Sequence, residues 1–142
     1  MAGLRIVLGI VAFTVLASAA VLHVFWAFGG RLAWLAGAPE VNGHALFQAS
    51  RSATLAVAAA LMAACVLLVH RILGTPPLPL SGRMSAGASW FLAVAFTARA
   101  VGDFRVLGFF KVVQGTRFAA MDSWLYSPAC LLLGMAFAVA AM

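Results

Sequence analysis

Four stretches of the chain carry apolar residues almost without a break, and the charged positions gather between them. Each reads as a candidate membrane-spanning helix. The first runs from Ile6 to Phe28 without a charge, 23 residues. At about 1.5 Å of rise per residue it crosses a hydrocarbon core of about 30 Å with a little tilt. Arg5 followed by an apolar run and Ala17-Ser18-Ala19 also resembles a cleavable signal peptide. The run continues well past that site, so an uncleaved helix over about 5–28 is expected.

The second helix is expected over 52–70, opened by Ser50 or Ser52 as N-cap and closed by His70-Arg71 and Gly74. Ala56, Ala60 and Ala64 form a small-residue stripe that would let a neighbouring backbone come close. The following GTPPLPLSGR holds three of the five prolines and cannot continue a helix, which makes it a tight connector. A third helix starts near Ser85, with Ser85, Ser89 and Ala93 as a second small stripe, but its uncharged run stops at Ala98. That is only about 20 Å, so the helix either lies untilted in a thinned bilayer or continues through Arg99 to about Leu107. The fourth, 122–142, contains Pro128: it begins at Ser127 with the proline in its first turn, or at Asp122 with a kink. Trp124 and Tyr126 suit the headgroup level. The expected fold is all-α, a polytopic membrane protein with a four-helix transmembrane bundle of up-down topology, and residues 1–142 form a single membrane domain.

Composition agrees. A hydrophobic content of 65%, a charged content of 8% and a mean hydropathy of +1.11 lie far outside the range of soluble domains. The formal charge of +6 is spread over every inter-helix segment, which fits the flanks of membrane helices and argues against a nucleic-acid partner. Alternating helices sort the chain into two sides. One carries the N-terminus, the 71–85 connector and the C-terminus, with Arg5, His70, Arg71 and Arg83; the other carries 29–51 and about 100–122, with all three acids, His23, His44 and six of the nine basic residues. A site, if present, opens on the second side. Its excess of Lys and Arg leans that side toward the cytoplasm.

VGDFRVLGFFKVVQGTRFAAMD, residues 101–122, concentrates five of the twelve charged residues. Arg99 stands just before it at membrane depth, where a cation either pairs inside the bundle or snorkels to the headgroups. Its partners are Asp103, one turn on, or Asp122 on another helix. Arg105, Lys111 and Arg117 are six residues apart. At about 100° per residue they would point in three directions, so no single polar helix face holds them. A broken segment folded over the mouth of the bundle is expected instead.

His23 and His70 belong to opposite sides and cannot share a haem; His23, Glu40 and His44 would converge for a metal only if the intervening loop were helical, and no metal or cofactor is assigned. Cys65 and Cys130 fall at different depths, which argues against a disulfide. Phe25, Trp26, Trp34 and Trp124 read as belt aromatics. No nucleophile elbow, Walker loop, HExxH or CxxC is present.

LHVFWAFGG (22–30), GDFRVLGFFK (102–111) and RFAAMDSWLYSPACLLLG (117–134) together resemble an uncharacterised bacterial family of small four-helix integral membrane proteins, a domain of unknown function. The resemblance rests on His23 and Trp26; on Gly102, Asp103, Arg105 and Lys111; and on Arg117, Phe118, Asp122, Tyr126, Ser127 and Pro128. It implies a membrane fold, placed in the bacterial cytoplasmic membrane, and no activity. Three functions follow as expectations. The first is a binding module whose mouth, lined by His23, Trp26, Arg99, Asp103, Arg105, Lys111, Arg117, Asp122 and Tyr126, takes an anionic or amphipathic lipid-like ligand. The second is a structural or accessory subunit, which could self-associate through its small-residue faces. The third is an enzyme on a lipid or isoprenoid-like substrate with Asp103, Asp122 or His23 as general base.

Overall fold

A computed structural model describes residues 2–30, 40–41, 44–46, 49–74 and 78–142. Four helices among the described residues are long and apolar enough to cross a membrane: α1 (Ala2–Ala27), α2 (Arg51–Leu73), α3 (Gly82–Val101) and α4 (Arg117–Ala141). A two-residue antiparallel pairing, Glu40–Val41 with His44–Ala45, lies between α1 and α2. The fold is all-α in every other described element. Arg31 and Trp34, and the side chains of Glu40 and His44, lie outside the described residues, and with them any convergence of Glu40 and His44 on His23.

Local chemistry sets the helix ends. Ser50 and Ser81 cap α2 and α3, each hydroxyl accepting the N–H three residues on, from Ala53 and Met84. Gly74 closes α2 in the left-handed region at φ 70°, where a side chain would be strained. Two expected boundaries are corrected. Helix three does not run over 85–107: it starts at Gly82 and ends at Val101, because Gly102 (φ 94°) turns the chain sharply away. It gains length at its start instead, and its 20 residues rise about 30 Å, enough to span with Arg99 in the last turn.

Helix four does not begin at Asp122 or Ser127. Thr116 caps it through the Ala119 N–H, and α4 runs from Arg117 through a π-helical turn at Asp122–Tyr126 into Ser127–Ala141. The wider turn has a local cause. Pro128 has no N–H and its ring would press on the carbonyl four residues back, and a π turn immediately before it opens that space.

The helices pack chiefly as two pairs, α1 with α2 and α3 with α4, joined by α1 against α4. The core is small and apolar: Ala12, Leu16, Leu68, Ala93, Leu133, Ala136 and Phe137 are buried, and Phe96 stacks on Phe137 at 5.8 Å. Close approach uses residues without bulk. At Gly134 an added Cβ would crowd Thr97 and the Ala93 carbonyl, which is how α3 and α4 come together without a hydrophobic drive from lipid. Ser85, Ser89 and Ala93 form a buried stripe, as expected. The stripe on α2 packs only at its last member: Ala64 is buried, Ala56 and Ala60 are exposed, and Thr54, Ala58, Cys65 and Leu68 face inward.

Hydrogen bonds gather the helix ends. Arg5 at the start of α1 reaches the Arg71 carbonyl at the end of α2 and the Ala140 carbonyl at the end of α4, and Arg71 reaches Ser85 at the start of α3. At the opposite end Arg99, late in α3, meets Asp122, early in α4.

Candidate functional site

The site is built around one carboxylate. Asp122 is 0% exposed in the π turn of α4, and three donors converge on it. Arg99 Nη2 donates to Oδ1 at 2.8 Å; the Gly108 N–H and Lys111 Nζ donate to Oδ2 at 2.7 and 3.0 Å. Lys111 is as deeply enclosed, with a side chain 3% exposed. Its other two protons go to the Gly108 carbonyl at 2.8 Å and Ser123 Oγ at 2.7 Å, so all three N–H donors of the ammonium are used. Arg99 remains 31% exposed along its side chain, and its buried Nη1 has no hydrogen-bond partner. It pairs inside the bundle rather than reaching the headgroups alone.

The 102–116 loop is held across this end by its own turns. Asp103 does not pair with Arg99. Its Oδ1 accepts the N–H groups of Arg105, Val106 and Leu107 at 2.9, 2.8 and 2.9 Å, a local aspartate turn that ties the loop to its start. Those donors, Leu107 first, hold the exposed Asp103 carboxyl below the usual carboxylate range. Phe104 then sits at φ 61°, unusual for a residue with a side chain. The chain folds back until the Gly102 and Gly108 backbones touch, with the Phe109 N–H on the Ala100 carbonyl at 2.9 Å. Only glycines fit there, since a Cβ on either would overlap the other strand of the turn. That crossing aims the Gly108 N–H at Asp122.

Of the expected site residues, the structure brings Arg99, Lys111 and Asp122 together and leaves others apart. Arg105 and Arg117 are exposed cations, Arg117 in the first turn of α4. His23 on α1 bonds through Nδ1 to the Ala19 carbonyl of its own helix at 2.7 Å and meets Trp26 edge-on at 5.1 Å. Tyr126 closes the π turn that Asp122 opens, and so stays beside the cluster, with its ring against Phe118 at 6.0 Å. Gly108, Gln114, Thr116 and Ser123 were not foreseen. Thr116 had a readable signal as a capping residue before an apolar turn; Ser123 stood next to Asp122, and Gly108 had none.

Beside the cluster an open pocket of about 350 Å³ is lined by Lys111, Gln114, Gly115, Thr116, Ser123 and Trp124, with Trp124 86% exposed at its rim. Its lining mixes polar and apolar groups, whereas three cavities on the helix flanks are almost wholly apolar. Two cations against one carboxylate leave the cluster one positive charge in excess. Asp122 has no exposed lone pair with which to take a proton from a substrate, and no three His, Cys, Asp or Glu side chains gather for a metal among the described residues.

Residues 16–137, more than four-fifths of the chain, match the model of a family described as "Protein of unknown function (DUF3995)". The chain belongs to the DUF3995 family. The match spans α1 from Leu16 through Phe137 of α4 and so includes the whole Asp122 cluster and the 102–116 loop. No curated protein and no solved structure matches the chain.

Proposed function

We infer that this DUF3995 chain acts as a single multi-pass membrane domain that binds the anionic headgroup of a lipid at the pocket beside Lys111 and Ser123, in a bacterial cytoplasmic membrane as the family resemblance implies. The observation that supports it is the charge excess: Arg99 and Lys111 meet one carboxylate, Arg105 and Arg117 add exposed cations, and the adjoining pocket is polar. The headgroup lies over Lys111 and Ser123, with Trp124 against its glycerol and upper chain, an aromatic at the interfacial level. Arg117 attracts it from outside the pocket.

The test is local. Titrating the detergent-solubilised protein with short-chain phosphatidylglycerol should shift Trp124 fluorescence saturably, isolated by difference against Trp124→Phe. Arg117→Gln should weaken the response without lowering thermal stability. A flat titration, or an equal response to short-chain phosphatidylcholine, rejects this function.

A second function is favoured by one specific observation. All three protons of Lys111 and both oxygens of Asp122 are already engaged within the protein, which suits a fastener in a structural or accessory subunit. Under it the titration is flat while the cluster remains essential for stability.

A further inference from the structure

The opposite end of the bundle holds a second concentration of charge with no acid in it. Arg5 Nη2 donates to the Arg71 and Ala140 carbonyls at 3.2 and 3.4 Å, and Arg71 donates through Nε to the same Ala140 carbonyl at 2.8 Å. Arg71 also reaches the Ala141 carbonyl at 3.0 Å and Ser85 Oγ at 3.5 Å. Two guanidinium groups therefore share one carbonyl, both half-buried. Every acceptor they have among the described residues is neutral. The chain's three acids offer no counter-ion: Asp103 and Asp122 are engaged at the other end, and Glu40 lies in the segment between the end of α1 and the start of α2.

Helix dipoles do not neutralise the pair. The ends of α2 and α4 contribute about −0.5 charge each, but the starts of α1 and α3 lie at the same end and contribute about +0.5 each. Neither guanidinium has an opposite side-chain charge beside it among the described residues, and both are partly removed from water, where an anion gains most. One donor is also unspent: Arg5 Nε is buried and has no partner. Running away from the pair along α1 and α2 is an apolar groove of about 270 Å³, lined by Ile6, Ile10, Phe13, Val69 and Leu73. Ile6 follows Arg5 in the chain, and Ile72, another lining residue, follows Arg71. At Gly9 the Ile72 side chain fills the place a Cβ would take, so α1 and α2 close together along the floor of the groove.

We propose that Arg5 and Arg71 bind the phosphate of an anionic phospholipid, one of whose acyl chains lies in the α1–α2 groove. This site is separate from the pocket beside Lys111 and does not depend on it. Charge-assisted bonds from a guanidinium pair suit a phosphate, and the groove suits the chain attached to it.

The experiment is native mass spectrometry of the full chain released from nanodiscs of mixed phosphatidylglycerol and phosphatidylcholine. The unaltered protein should retain phosphatidylglycerol in preference to phosphatidylcholine. Arg71 also fastens the end of α4, so Arg5→Gln is the primary variant; it should hold one fewer phosphatidylglycerol, with affinity lowered about tenfold, the effect of one charge-assisted hydrogen-bonding group. Arg5→Lys, which keeps the charge, should retain most of the binding, and Arg83→Gln, an exposed cation at the same end, should match the unaltered protein. Arg117→Gln reports on the other pocket and should leave this lipid in place. The proposal is overturned if Arg5→Gln retains as much phosphatidylglycerol as the unaltered protein, or if the two lipids are held equally. It is also overturned if inorganic phosphate in detergent raises thermal stability as much as phosphatidylglycerol does, which would make the pair a free-phosphate site.

Discussion

At one end of the bundle a buried carboxylate gathers Arg99, Lys111 and a loop N–H; at the other, Arg5 and Arg71 reach helix carbonyls and a serine with no carboxylate among them. The cations are alike and the acceptors are not. Ionic bonds at Asp122 compensate for charges taken out of water, so removing either partner strands a charge in an enclosed place. The carbonyl bonds of Arg71 satisfy backbone groups that the last turn of α4 leaves open, and a guanidinium that loses them still has water or headgroups within reach. The first arrangement fastens a loop to two helices. The second fastens helix ends and leaves charge over for an anion.

The contrast predicts unequal damage. Asp122→Ala strands both Arg99 and Lys111 and should cost about 3–5 kcal/mol, seen as a large fall in thermal unfolding temperature in detergent. Gly108→Ala places a side chain where the loop crosses Gly102 and should cost about 2–4 kcal/mol from strain and overlap, again by thermal unfolding, with a new protease-sensitive site in the 102–116 loop. At the other end Arg71→Gln should cost about 1.5–3 kcal/mol, and hydrogen exchange should show the loss confined to the last turn of α4. If Arg71→Gln proved as damaging as Asp122→Ala, the two ends would not differ as described.

The smallest effect belongs to Asp103. Its folded carboxyl titrates below the ordinary carboxylate range, so its contribution is present above that range and fades as pH falls through the folded value. Protection of the Arg105, Val106 and Leu107 amides against hydrogen exchange should therefore weaken in acid, and Asp103→Asn should weaken it at neutral pH while the Asp122 cluster persists.

Much of this architecture is legible in the order of residues. Four apolar runs give four helices; Ser50 and Gly74 mark the ends of α2; a cation at membrane depth asks for an acid, and Asp122 is one of two on offer. Other features have causes that residue order hides. Arg117 looks like a loop residue and Asp122 like a helix start because charges seldom enter a membrane helix, yet Thr116 caps a turn that begins at Arg117 and leads into Asp122. The early end of α3 depends on Gly102 meeting Gly108, a contact made only once the loop has closed. Ala56 and Ala60 have the spacing of a packing stripe, but α1 meets the neighbouring face of α2. The bonds of Arg5 and Arg71 are hidden in residue order, since all their acceptors but Ser85 are backbone carbonyls.

Lys111 and Asp122 should act as one energetic unit that holds the 102–116 loop on the bundle. A double-mutant cycle with Lys111→Met and Asp122→Ala, read by reversible unfolding in mixed micelles, tests it most directly. A coupling energy of about 2–3 kcal/mol is predicted, with the double variant far less damaged than the sum of the two single ones. Additivity within about 0.5 kcal/mol would contradict it.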